Sequence, residues 1–234
     1  MKVWDPANHE FCLVKADVLL SVNTSPFASG GTRFAYHAEP CDALPLDPCN
    51  PLKHGIIAKG SKKQSSKSQE HQLQVDDAVC LQAAKDAVDV FNTLLESKTV
   101  ALQTPSFVDC HLLCCGGGNN VKYLSIEPFL EGSYTKFNGN EGYVAALPDD
   151  AADREAHELA QAFSHWSWVH SGGRELLCDI QGVGARWTDP QVNSVATKYG
   201  RKDMGFKGIA AFFGSHRCNE SCHTIGINKK WLEA

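Results

Sequence analysis

The chain has 234 residues, 43% of them hydrophobic, and 22 basic against 27 acidic side chains for a net charge of -5. That apolar content fills one large core or two modest ones, and the acidic balance disfavours nucleic acid as the main partner. Met1 to Pro6 carry no apolar run, and no stretch of about 18 apolar residues occurs. Neither a signal peptide nor membrane insertion is expected, and the expected location is cytoplasmic. Ten cysteines are scattered along the chain, with Cys114 and Cys115 adjacent. This pattern predicts reduced thiols, two of them metal-bound, rather than a disulfide framework.

Residues 12–22 predict a strand. Pro26 to Arg33, with Gly30 and Gly31, followed by a short run through Phe34 and Tyr36, predict a strand, a glycine turn and a second strand. Residues 38–54 hold four prolines and read as a loop, and Ile56–Lys59 as a short strand. The polar stretch 60–74 predicts a mobile surface loop. From Asp76 to about Lys98, apolar side chains recur at three- and four-residue intervals through Ala84, Val88, Phe91 and Leu95, which predicts a helix. Residues 106–115 and 121–129 predict two strands joined by a hairpin turn over Gly116–Asn120.

The second half changes character. Asp149 to about Trp168 predicts a helix capped by Asp149 or Asp150, Glu175–Val183 a strand, and Gly208–Phe213 a buried run. The expected division is a β-rich lobe with one long helix over 1–126, a hinge over 127–132, and a second lobe over 133–234.

Four groups of residues carry chemistry. His216, Cys218 and Cys222 have metal-ligand spacing, three of the four donors of a closed tetrahedral site. The alternative is a surface histidine beside two buried free cysteines. Asp179 and Gln181 lie two apart on the predicted strand and so point to one side of it. With Asp189 just beyond, they form an oxygen set for magnesium. Alternatively, Asp179 caps the Gly182–Gly184 turn. Lys59 ends an apolar strand downstream of a glycine turn, where an ammonium pairs with phosphates in an ATP fold, or it is a solvated strand end. Glu127, read as part of a hinge, meets the adenine edge of ATP while Lys136 stays near the nucleotide; otherwise both belong to solvated turns. The P-loop pattern and the H-R-D and D-F-G motifs of ordinary protein kinases are absent.

Taken in order, these segments resemble the alpha-kinases, a family of atypical protein kinases. The resemblance spans nearly the whole chain. It is carried by Pro26-Phe27-x-x-Gly30-x-x-Arg33, Ala58-Lys59, Glu131-Gly132-x-Tyr134-x-Lys136-x-Asn138, Gln161-Ala162-Phe163-Ser164-His165, Asp179-Ile180-Gln181-Gly182-Val183-Gly184, Thr188-Asp189-Pro190-Gln191 and Phe212-Phe213-Gly214-Ser215-His216-Arg217-Cys218-Asn219. It implies an α+β, two-lobed, protein-kinase-like fold with a structural zinc site in the C-terminal lobe. It also implies ATP, Mg2+ and Zn2+ as cofactors and a protein substrate phosphorylated on Ser or Thr.

The implied roles follow residue by residue. His165 becomes the fourth zinc ligand beside His216, Cys218 and Cys222. Asp179 is the catalytic carboxylate at the substrate hydroxyl, with Gln181 and Asp189 on magnesium. Lys59 pairs with the ATP phosphates, Glu127 meets the adenine, and the loop around Gly30, with Arg33 and Lys136, completes the nucleotide set. Two segments depart from the family pattern. Arg201 and Lys202 stand where small residues are frequent, and Ala83 leaves Lys59 without an assigned helix carboxylate. The rival expectations are a pseudokinase scaffold that binds nucleotide without transfer, and a zinc module for nucleic acid.

Overall fold

The computed structural model describes residues 2–5, 10–13, 20–40, 55–62, 66–98, 102–115 and 121–227. In chain order the elements are β1 (Lys2–Asp5), β2 (Glu10–Leu13), β3 (Leu20–Val22), β4 (Ala28–Ser29), β5 (Arg33–Pro40), β6 (Ile56–Ser61), α1 (Lys67–Glu96), β7 (Ser106–Phe107), β8 (His111–Cys115), β9 (Lys122–Pro128) and β10 (Thr135–Lys136). There follow α2 (Ala151–His170), β11 (Glu175–Cys178), β12 (Gln181–Val183), β13 (Arg186–Thr188), β14 (Gln191–Ser194), a 3-10 turn (Gly200–Lys202), α3 (Phe206–Ser215) and α4 (Glu220–Thr224). The chain divides into two units. One comprises Met1–Ala78 with Val108–Glu131, the other Val79–Phe107 with Gly132–Ala234.

The first unit is built on an eight-stranded sheet in the order β2-β1-β8-β9-β6-β5-β3, with β4 also on β5. Its strand pairs are antiparallel, so the register sets which side chains share a face. Ala38 faces Ile56 across β5 and β6, and Ala58 faces Ile126 across β6 and β9. These four and Leu113 form one buried cluster. Ile56 and Ile126 are at most 1% exposed, and full burial of such a side chain contributes about 1.5–3 kcal/mol. The opposite face carries the buried polar residues Lys59, Ser125 and Glu127.

The surface loop expected over 60–74 is corrected, because α1 begins at Lys67 rather than near Asp76. Ser66 and Gln69 form a capping box: the Gln69 amide donates to Ser66 Oγ at 3.4 Å and the Ser66 amide to Gln69 Oε1 at 3.3 Å. The S-x-x-Q pattern was in the sequence and outweighs the polar composition of this turn. His71 then packs edge-on to Tyr123, centroids 4.9 Å apart. The expected strand over 12–22 is two strands, β2 and β3, with different partners. Residues 14–19, 41–54, 63–65 and the expected Gly116–Asn120 turn lie outside the described residues.

The second unit holds the short sheets β10-β12-β13-β7 and β11-β14. Its core is aromatic: Phe163 of α2 stands 5.3 Å from both Phe91 and Trp187 and 5.9 Å from Phe107, ring centre to ring centre. Helix α2 starts as expected. The Asp150 carboxylate accepts from the amides of Ala152 and Asp153 at 2.9 and 3.1 Å, satisfying donors that a helix start leaves open.

Two expectations are corrected here, and one run gains its secondary structure. The run 106–115 is not one strand: Ser106–Phe107 pairs with β13, whereas His111–Cys115 pairs with β9. Residues 175–183 are not one strand either, because the chain breaks at Asp179, with φ 61°, into β11 and β12 of different sheets. The buried run 208–213 is helical, with Ile209 and Phe212 one turn apart against Leu176. No described helix is long and apolar enough to cross a membrane.

Candidate functional site

In the first unit, strand register assembles a charged cluster on the polar face. Lys59 of β6 lies opposite Ser125 of β9, and Glu127 lies two residues along the same strand, hence on the same face. Lys59 Nζ and Glu127 Oε1 are 2.5 Å apart, with side chains only 10% and 8% exposed. A buried ammonium needs a nearby anion to stay charged, and β9 supplies it. The carboxylate partner of Lys59, which the sequence left unassigned, is thus the strand residue expected at the adenine.

Arg33, two residues from the position opposite Lys59 on β5, pairs with Asp77 of α1 at 3.2 Å and donates to Ser125 Oγ at 3.3 Å. Asp77 carried no sequence signal beyond its place in the α1 pattern. Gly30 sits in the exposed turn from β4 to β5, closed by its amide donating to the Arg33 carbonyl at 3.0 Å. The Gly30 carbonyl accepts from the Lys62 ammonium.

The second unit carries the oxygen set. Asp179 and Asp189 both adopt left-handed backbone, with φ 61° and 52°. Such conformations in non-glycine residues carry strain that surrounding structure must hold, and they concentrate at functional sites. The break removes the same-face argument for Asp179 and Gln181, yet the two remain coupled: the Gln181 amide nitrogen donates to the Asp179 carbonyl at 3.1 Å. Lys136 of β10, opposite Gln181 in the register, ion-pairs with Asp179 Oδ1 at 2.5 Å. Apart from that pair, Oδ1 accepts no hydrogen bond among the described residues.

Burial pushes the Asp179 carboxyl above its ordinary value; Lys136 and Lys202 pull it down and the nearby Asp189 charge pushes it up. The chain can turn here because position 182 is glycine. At φ 152° a Cβ would lie 2.0 Å from the Arg186 carbonyl oxygen, so no other residue fits.

One positioning residue went unrecognised. Asn138, fully buried, accepts from the Ile180 amide at 3.0 Å and donates to Ser164 Oγ at 3.0 Å. It fixes the backbone just after Asp179. Asn138 stood in the family pattern, but nothing in the sequence assigned it this role.

His165 of α2, His216 at the end of α3, Cys218 and Cys222 of α4 come together in the same unit, their ligand atoms all within 4.8 Å of one another. His216 Nε2 is 3.2 Å from His165 Nδ1, Cys218 Sγ 3.7 Å from His165 Nδ1, and Cys222 Sγ 3.8 Å from His216 Nε2. Burial lowers the His216 imidazole to about 3, aided by His165 and Arg217, and burial also lowers His165. Both rings are therefore neutral, the form that binds metals. Burial raises the Cys222 thiol to about 12, so a metal entering this cluster displaces its proton. The four residues can hold a metal ion.

Residues 28–222 match the profile of the alpha-kinase family. The chain belongs to the alpha-kinase family. It is 32% identical over 206 residues to eukaryotic elongation factor 2 kinase of Caenorhabditis elegans, covering 86% of this chain and 24% of that protein. It is 30% identical over 228 residues to alpha-protein kinase vwkA of Dictyostelium discoideum, covering 94% of this chain and 33% of that one. The chain thus spans a quarter to a third of the length of these alpha-kinases. The crystal structure of the alpha-kinase domain of myosin-II heavy chain kinase A in complex with AMP-PNP is similar, with a TM-score of 0.75 at 23% identity. It covers 97% of this chain and 93% of that domain, so the fold, with its mixed helix and sheet, is that of the alpha-kinase domain.

Proposed function

We propose that the chain is an ATP-dependent protein kinase domain that transfers the γ-phosphoryl group of ATP to a Ser or Thr hydroxyl of a protein substrate. The observation that carries this reading is Asp179: a half-buried carboxylate on strained backbone, ion-paired with Lys136 and flanked by the oxygen donors Gln181 and Asp189. Asp179 accepts the proton of the incoming hydroxyl as its oxygen bonds to the γ-phosphorus and the bond to the β-phosphate oxygen breaks, leaving ADP. Its raised pKa strengthens it as a base relative to an ordinary aspartate. Phosphoryl transfer asks little else of the protein beyond positioning and charge neutralisation.

Gln181 and Asp189, with Asp179, offer the hard oxygen ligands that suit Mg2+. Magnesium, when bound, shields the phosphate charge. Lys59 pairs with the phosphates, kept ionised by Glu127. The Gly30 turn covers the phosphates, Arg33 sits at its base, and the segment from Glu127 offers the adenine edge.

The His165, His216, Cys218 and Cys222 cluster is proposed as a structural zinc site. A tetrahedral zinc with bonds near 2.05 Å to nitrogen and 2.3 Å to sulfur separates two nitrogens by about 3.3 Å, and nitrogen from sulfur by about 3.6 Å. The observed 3.2, 3.7 and 3.8 Å support this donor set. Four protein ligands leave no open position, so the ion's task is to hold the fold.

The test is Asp179→Asn in a phosphate-transfer assay, beside the binding of a fluorescent ATP analogue. Transfer should vanish while nucleotide binding persists. Transfer at the rate of the unaltered protein removes Asp179 from the mechanism. Nucleotide binding without transfer by the unaltered protein marks it as a scaffold.

A further inference from the structure

We propose that the segment Gly200–Lys207 selects protein substrates that carry acidic side chains next to the acceptor hydroxyl. The inference rests on the kinase reading above and adds a substrate class to it.

The segment is held rigidly against the strand end that presents Asp179. Asp203 accepts four hydrogen bonds, from the amides of Ser194, Tyr199 and Gly205 and from the Ser194 hydroxyl, at 2.6–3.2 Å. Asn140 donates to the Lys202 carbonyl at 2.7 Å, and Asn193 accepts from the Met204 amide at 2.8 Å. The two asparagines join at 2.7 Å, and both lie 3.3 Å from the sulfur of Cys178, the residue before Asp179. Helix α3 packs so close that a Cβ at Gly208 would meet the Asn193 amide at 2.3 Å. A loop tied down this way presents its outward side chains in fixed places.

Those side chains are cationic. Arg201 and Lys207 are exposed, and Lys202 is half-buried. Phe206, 64% exposed, stands between them in the chain. The segment's acid, Asp203, is committed to its four hydrogen bonds, and Lys198 is taken up by Glu175 at 2.5 Å. Set against the one exposed acid of the neighbouring turn, Glu141, the two exposed cations Arg201 and Lys207 leave a positive excess. Complementary charge at the rim of a binding surface sets partner choice and association rate, and like charge repels wrong partners.

The experiment compares three synthetic peptides with one Thr acceptor flanked by Glu, Ala or Lys, using kcat/KM with ATP. The unaltered protein should prefer the Glu peptide over the Lys peptide by about tenfold, the yield of two exposed ion pairs. In Arg201→Glu/Lys207→Glu that ratio should fall below one. The Ala peptide and the KM for ATP should stay within about twofold. A ratio at or below one in the unaltered protein, or one that survives the double substitution, overturns the proposal. A raised KM for ATP with the ratio unchanged overturns it too, assigning these cations to the nucleotide. Transfer to no peptide removes the kinase reading and this inference with it. Transfer indifferent to flanking charge removes this inference alone.

Discussion

Truncating Asn138 to alanine removes two buried hydrogen bonds at once, those to the Ile180 amide and to Ser164 Oγ, each 3.0 Å long. The Ile180 N–H, in the break between β11 and β12, loses the acceptor it has in Asn138, whereas the Ser164 hydroxyl, on a helix, can rotate toward a preceding carbonyl. An orphaned buried group costs about 1–3 kcal/mol, so the expected loss is roughly 2–4 kcal/mol. With a urea dependence of about 2 kcal/mol per molar, the unfolding midpoint falls by about 1–2 M.

Trp166, Trp168 and Trp187, all in the second unit, report that transition by fluorescence. A midpoint shift below about 0.3 M would mean that the two bonds carry little net stability and that the reasoning fails. Asn138→Asp is the control. It keeps an acceptor for the Ile180 amide but buries a carboxyl whose folded pKa must rise. Its stability should approach that of the unaltered protein at low pH and decline as pH climbs past the ordinary aspartate value near 3.9.

The acid limb of the transfer rate should lie above the ordinary carboxylate range, since burial raises Asp179 and the reactive form exists only above its pKa. Lys136→Met, which removes the group that lowers it, should move that limb further up in a pH–rate profile; an unmoved limb would remove Lys136 as its charge partner. Prolonged chelation, or Cys222→Ala, should lower the melting temperature of the second unit and expose it to protease, with one equivalent of zinc released on unfolding. Unchanged melting after complete metal removal would refute the structural role. Glu127→Leu should destabilise by about 3–5 kcal/mol, and adding Lys59→Met should recover much of it, because a buried charge without its partner is worse than none. A double variant as unstable as the single would contradict that account.

The site was more legible than the architecture around it. The metal cluster was readable because ligand chemistry restricts residue type and spacing, so His216, Cys218 and Cys222 stood out and the family pattern supplied His165. Asp179 was singled out through a premise that failed: the continuous strand. A left-handed break leaves no mark in hydrophobic periodicity, although Gly182, three residues on, was a sign of it. The early start of α1 was written in Ser66 and Gln69 but hidden by the polar composition between them. The Lys59–Glu127 pair was out of reach, since it depends on a strand register set by residues far apart in the chain. The role of Asn138, and Asn140 and Asn193 altogether, were missed for a related reason. Their work is to bond backbone and side chains that only the finished fold brings near.

The four soft-metal donors are contributed by α2, the end of α3, a connecting turn and α4, with 57 positions from His165 to Cys222. Bringing such distant points together costs roughly 3.6 kcal/mol of chain entropy, from 1.5RT ln 57, and the five-residue α4 is too short to persist by itself. During synthesis the cluster cannot close until its final cysteine has left the ribosome. An ion captured there would act as a latch across these four segments, closed only once α4 is in place.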